Sequence, residues 1–187
     1  MLVSQDGDVP AVTAVAAQAA SWLTGAPQRS KQPVSFEHIH HSQTLKPGDD
    51  RSGYGALARH FGFALTRAFS RARTDTVIIL EDDLDVAVDF FEYFAAMAQL
   101  LREDESLLAA SAYNDMGQPG NVGDPLRALR SDFFPGLGWM LHKRVWMELQ
   151  PIWPTAYWDD WLREPARRKG ERIVPCQPAL LPPPFMP

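Results

Sequence analysis

An α/β fold with a mixed sheet is what this sequence predicts, and three observations carry it. Short apolar, β-branched runs alternate along the chain with longer segments whose apolar residues recur every three or four positions. The run from Thr76 to Asp83, TVIILEDD, leads four apolar residues into three consecutive carboxylates, the pattern of a strand buried on both faces that ends at a polar rim. The 187 residues are 45% hydrophobic and 22% charged, enough for one domain with a substantial core.

Bulk properties narrow the function. A net charge of −5 argues against a nucleic-acid surface, which needs a basic stripe. The single cysteine, Cys176, rules out an intrachain disulfide and leaves the redox compartment open. No apolar run reaches the roughly twenty residues of a membrane span, and Met1-Leu2-Val3 is too short for a signal sequence. The opening LVSQD reads as an entry in mid-fold.

Taken in order, Leu2 to Ser4 is a short strand, followed by a turn in which Gly7 is free to take positive φ. Val9 to Leu23 is an Ala-rich helix with Pro10 in its first turn. Pro27 to Arg51 is mostly loop, with one short strand around Phe36 to His40. Gly53 to Arg73 is a helix that buries Leu57, Phe61, Leu65 and Phe69 and turns Arg59, Arg67, Arg71 and Arg73 to solvent.

Beyond the acidic strand end, Asp89 to Leu101 is a helix with Asp89 as cap and Glu92 at the reciprocal capping-box position. Its buried stripe is Phe90, Phe94, Met97 and Leu101. Leu107 to Ala112 is a second strand, and Asn114 to Pro125 a glycine- and proline-rich loop. Phe133 to Trp139, FFPGLGW, is aromatic yet glycine-broken and forms neither a clean helix nor a clean strand. Lys143 to Leu149 is a short helix stopped by Pro151. Residues 1–174 form the domain, and the density of prolines from 175 to 187 predicts an irregular tail.

Glu81, Asp82 and Asp83 form the first candidate site. Adjacent anions at the edge of an apolar core repel one another and resist desolvation, so a positive partner is expected. Hard divalent cations favour carboxylate oxygens and keep positions open for phosphate. A solvated acidic turn ahead of a helix cap accounts for the same spacing. Asp159 and Asp160, between Trp158 and Trp161, form the second. Aromatic walls would strip water from a carboxylate and raise its basicity, as a general base needs. A helix N-terminus, with one Asp as cap and the other favoured by the dipole, is the simpler explanation of the pair taken alone.

Weaker candidates have ordinary explanations. In Phe133 to Trp139, glycines would let backbone approach a ligand, though a core corner suffices. His38, His40 and His41 lack the downstream pair of a zinc site and read as polar strand histidines. His60 reads as a partly buried helix histidine, and Arg167-Arg168-Lys169 as a solvated face.

In order, VSQD, GYGALARHF, VIILEDDLDVAVDFFEYF, SAYND, SDFFPGLGWML and YWDDWLREPARRKG resemble the β-1,2-N-acetylglucosaminyltransferase I family, including its relative acting on O-linked mannose. The resemblance runs from about Leu2 to about Val174. It implies a GT-A-type nucleotide-sugar transferase domain with a mixed, mostly parallel sheet, lacking the usual first strand and C-terminal part. The implied reaction is metal-dependent, inverting transfer of N-acetylglucosamine from UDP-GlcNAc to the 2-hydroxyl of a mannose on a glycoprotein glycan.

By this resemblance Asp83 ligates Mn²⁺, while Glu81 and Asp82 contact donor sugar and ribose. Asp6 and His60 match nucleotide contacts, Leu137 a donor-site position, and Asp159 the catalytic base. Relatives carry cysteines at the positions of Gly7, Ala109 and Ile173, the last two implying a bridge that an apolar contact replaces here. Relatives also imply a Golgi location behind an N-terminal anchor. The rival expectations are an inactive sugar- or nucleotide-sugar-binding module on the same scaffold, and a nucleotidyltransferase.

Overall fold

The structure, a computed structural model, describes residues 1–25, 34–71, 73–115, 121, 128–167 and 174–176. Two sheets carry the fold. Strands β1 (Leu2–Asp6) and β2 (Glu37–His41) pair in parallel, joined through α1 (Pro10–Gly25). The larger sheet holds β3 (Thr76–Ile79), β4 (Ala109–Ser111), β5 (Leu129–Ser131), β6 (Trp139–His142) and β7 (Val174–Cys176). Its spatial order is β3-β6-β4-β7-β5.

The α/β class with a mixed sheet is present, but the larger sheet is not mostly parallel. Only β4 and β7 pair in parallel there, whereas β3–β6, β4–β6 and β5–β7 are antiparallel. The cause is an insertion. The crossover through α3 (Phe90–Glu103) leaves β3 and β4 running the same way, as such connections do. Then β6 returns between them in the opposite direction.

Helices cover both faces of this sheet. On one side α2 (Gly53–Arg71), α4 (Lys143–Leu149) and α5 (Trp158–Arg163) surround Phe61, Leu65, Trp139, Leu141, Trp146 and Trp158. On the other, α3 packs Phe90, Phe94 and Leu101 against Ala110 and Met140. The alternation of Trp139 and Leu141 with Met140 divides β6 between the two clusters, as a pleated strand must.

Several local expectations shift. Leu57 is 41% exposed, and Ala58 takes its place on the buried face of α2. A four-residue repeat drifts about 40° per step round a 3.6-residue helix, so the first member of the stripe falls off the core. In α3, Ala98 is buried and Met97 only partly so. Asp89 sits at the N-cap position with φ −95 and ψ 2 and makes no side-chain cap bond. Caps need extended backbone to aim their oxygen at the first turn, so the expected capping box does not form.

Strand β3 is half-buried rather than enclosed, because it is the outer strand in the described order and Leu80 beyond it is exposed. After α4 the chain makes one further 3-10 turn, Gln150–Ile152, with Pro151 inside it. Pro175 and Cys176, expected in the irregular tail, continue β7, which pairs with β4 and β5. Residues 177–187, most of the expected 114–125 loop, Ile173 and Arg168-Lys169 lie outside the described residues.

One surface knot makes a pH prediction. Asp104, ending α3, accepts from the Ser106 backbone N–H at 2.9 Å and hydroxyl at 2.6 Å and pairs with Arg130. The Ser106 bonds and the Arg130 guanidinium hold its carboxyl at about 2 against an ordinary 3.8. A depressed carboxyl stabilises the fold above its unfolded value and loses that contribution as pH falls through the folded one. The parent protein's resistance to thermal unfolding should therefore fall from pH 3.8 down to about 2. Asp104→Asn should flatten that acid limb. An unchanged limb would mean the knot contributes nothing.

Candidate functional site

The first candidate cluster forms where β1 ends. Gly7 turns the chain at φ 70, leaving Asp6 at the strand's exit. Asp6 Oδ2 accepts from Gln43 Nε2 at 2.6 Å, and its Oδ1 lies 3.2 Å from His41 Nδ1. Gln43 is itself anchored, donating to the Ala56 carbonyl at 3.0 Å and accepting from Arg59 Nε at 2.7 Å. His60, on α2, shares a 2.8 Å hydrogen bond with Ser4 Oγ and stacks on His41 at 5.7 Å. Asp6 and His60 are thus brought together. Burial pushes the His60 imidazole below its ordinary value, opposed by Asp6 and reinforced by His41.

His38 and His40 lie ring against ring at 4.3 Å, and His40 pairs with Asp8. Among the described residues no three His, Cys, Asp or Glu side chains form a metal-holding group. The strand histidines carry no zinc-like set.

The second cluster is acidic. Glu81 is half-buried, and Asp82 and Asp83 are exposed just beyond β3. Burial raises the Glu81 carboxyl above its ordinary value, followed in order by the negative charges of Asp83, Asp82 and Asp159. Asp159, far away in sequence, is near enough for its charge to act on Glu81. Among the described residues no salt bridge reaches Glu81, Asp82 or Asp83. Uncompensated charge of this kind fits a divalent cation. With no three-residue set, the protein would supply one or two carboxylates and leave the remaining positions to a phosphorylated ligand, the habit of magnesium-like ions.

Asp159 stands in the first turn of α5, but not between aromatic walls. Trp158 is buried, stacked on Phe61 at 4.2 Å and on Trp139 at 5.7 Å. Trp161 packs beside Trp153 and beneath Arg167. Both indoles thus serve the core or the far side, and the Asp159 side chain is 41% exposed. Helical periodicity explains the correction, since neighbours one and two positions away point to different faces. Neither aspartate is the cap, a position held by Tyr157 in the left-handed region (φ 50, ψ 49).

Arg163, which the sequence did not single out, organises this corner. It donates to Asp159 at 3.2 Å, Asp160 at 2.6 Å and the Phe134 carbonyl at 3.0 Å, and lies over the Phe133 ring. Its spacing of four from Asp159 was the available signal.

Leu137 sits between Gly136 (φ 83) and Gly138 (φ 50), conformations that side chains rarely adopt. Ser111 Oγ holds its carbonyl at 3.1 Å. With Leu80, Leu84, Val86 and Phe90 it lines a small, open, apolar cleft. Leu80 and Leu84, which flank the acidic triplet in sequence, both line this cleft, and so does Asp85.

Fold and site together define an α/β domain that gathers carboxylates, an apolar cleft and an aspartate–histidine cluster around the ends of its strands. The chain belongs to the GNT-I family, whose model matches residues 1–178. It is 43% identical over 174 residues to an Arabidopsis thaliana protein named alpha-1,3-mannosyl-glycoprotein 2-beta-N-acetylglucosaminyltransferase. That match covers 93% of this chain and 37% of the relative, so the chain spans little more than a third of the relative's length. Among the described residues no helix is long and apolar enough to cross a membrane.

Proposed function

We propose that this domain is a GT-A-type glycosyltransferase unit that moves N-acetylglucosamine from UDP-GlcNAc to the 2-hydroxyl of a mannose on a glycoprotein glycan. The run of carboxylates Glu81, Asp82 and Asp83 just beyond a strand, with Asp159 near enough for its charge to act on Glu81, carries the reading. The name of the Arabidopsis relative supports the sugar and the acceptor. Such a protein works in the Golgi lumen.

In a single inverting displacement, Asp159 takes the proton from the acceptor 2-hydroxyl as that oxygen bonds to the anomeric carbon. The bond from the anomeric carbon to the diphosphate breaks with it, and UDP leaves with the electron pair. Arg163 fixes the Asp159 carboxylate from the next turn. Asp83 would hold Mn²⁺ together with the donor diphosphate, where the ion, when bound, compensates charge on the leaving group. Glu81 and Asp82 hold the donor sugar and ribose, Leu137 bounds the donor site, and Asp6 with His60 holds the nucleotide.

The test is UDP release from UDP-GlcNAc with a mannoside acceptor, with and without Mn²⁺. Turnover that needs the metal and disappears in Asp83→Asn is the expected result. Donor binding without turnover would instead make the chain a nucleotide-sugar-binding module. Absence of both donor and metal binding would overturn the reading.

A further inference from the structure

We propose that Tyr54 and Tyr157 form a stacking platform for the acceptor sugar, a neutral hexose ring presented to Asp159. The proposal rests on the transferase reading above and names the residues that would meet its second substrate.

Tyr157 is the only non-glycine residue with positive φ among the described residues. A left-handed tyrosine costs energy that any ordinary helix start would avoid, and such outliers persist where they position something. What this one positions is a ring. The Tyr157 side chain stacks on Tyr54 with centroids 4.5 Å apart and planes 25° from parallel. Yet the pair is not core: Tyr54 is 56% exposed and Tyr157 49%. Aromatic surface left in water beside a site is the kind that meets a ligand. Neither hydroxyl has a hydrogen-bond partner among the described residues.

Location selects the ligand. Tyr157 immediately precedes α5, two residues before Asp159. Tyr54 lies in the first turn of α2, the helix that carries His60. The stack therefore joins the start of α2, which carries His60, to the start of α5, which carries Asp159. The rim there is negative and repels an anion arriving without a cation. An uncharged pyranose has apolar C–H faces that suit tyrosine rings and hydroxyls that donate to carboxylates. Tyr157 opens the turn that leads into Asp159, so a sugar held on its ring is carried at the same end of α5 as that carboxylate.

The test is steady-state kinetics on the whole chain with a simple mannoside, alongside donor affinity by calorimetry. Tyr54→Ala should raise the acceptor KM about tenfold, the worth of a lost aromatic contact, while UDP-GlcNAc affinity stays within about twofold. Tyr54→Phe should keep most of the acceptor affinity. Tyr157→Asn removes the ring but tolerates left-handed backbone, so it guards against loss of fold, and it should behave as Tyr54→Ala does. If donor affinity falls instead, the platform holds the uracil and the proposal fails.

Saturation-transfer NMR of the mannoside with UDP and Mn²⁺ needs no turnover and separates the two readings. Mannoside signal lost in both ring-removing variants supports the platform even where transfer is absent. Mannoside binding that is absent from the parent protein, or unaffected by the variants, overturns it.

Discussion

Asp159→Asn should lower the rate of transfer by about 10²–10⁴-fold, the usual contribution of a positioned general base, and leave donor binding intact. The amide keeps the carboxylate's shape but cannot take the acceptor's proton. The corner itself should survive, because Arg163 keeps its 2.6 Å bond to Asp160 and its bond to the Phe134 carbonyl. Asp160→Asn is the matched control. Its side chain is 67% exposed, against 41% for Asp159, so only a small rate change is expected. Initial-rate measurements on both variants decide the matter. Should Asp160→Asn prove the crippled enzyme and Asp159→Asn the active one, the assignment of the base is wrong.

The second large effect is on stability. Trp158→Ala should cost about 3–5 kcal/mol, the range for deleting a large buried aromatic side chain. Trp158 is 4% exposed and touches four rings: Phe61, Trp139, Trp153 and Phe134. No single neighbour can relax to fill the hole, since these rings come from α2, β6, the segment before β6 and the segment between α4 and α5. A loss of that size is a large share of the ~5–15 kcal/mol that holds a typical domain together. Urea unfolding followed by circular dichroism measures it, with Trp158→Phe expected to lose less. A cost below about 1 kcal/mol would show that the ring cluster is not what fixes α5.

How much of this was legible beforehand follows from which forces act locally. Elements with their own periodicity and breakers, such as α1, α4 and β1, stand within a few residues of where the chain placed them. The acidic triplet and its nearness to a strand end were also visible, because both are contiguous. Pairing was not. Nothing within Trp139–His142 says that it inserts between β3 and β4 rather than beside them, since that choice depends on partners elsewhere in the chain.

Side-chain surroundings failed for the same reason. Trp158 and Trp161 flank the aspartates in sequence and point away from Asp159 in space. Arg163 needed a helical register to be noticed, and the left-handed Tyr157 had no signal at all. Asp89 lost its capping role to a backbone angle that composition does not encode.

The insertion of β6 has a consequence for how the molecule assembles. Strands β3 and β4 have no ladder with each other, and both depend on a segment made after them. A nascent chain that has reached residue 138 therefore presents two bare edges, with α3 already able to coil but nothing to brace it. Closing so distant a contact is slow, and bare edges invite mispairing. Refolding should be limited by arrival of the Trp139–His142 strand, which makes that tetrapeptide the kinetic keystone of the domain.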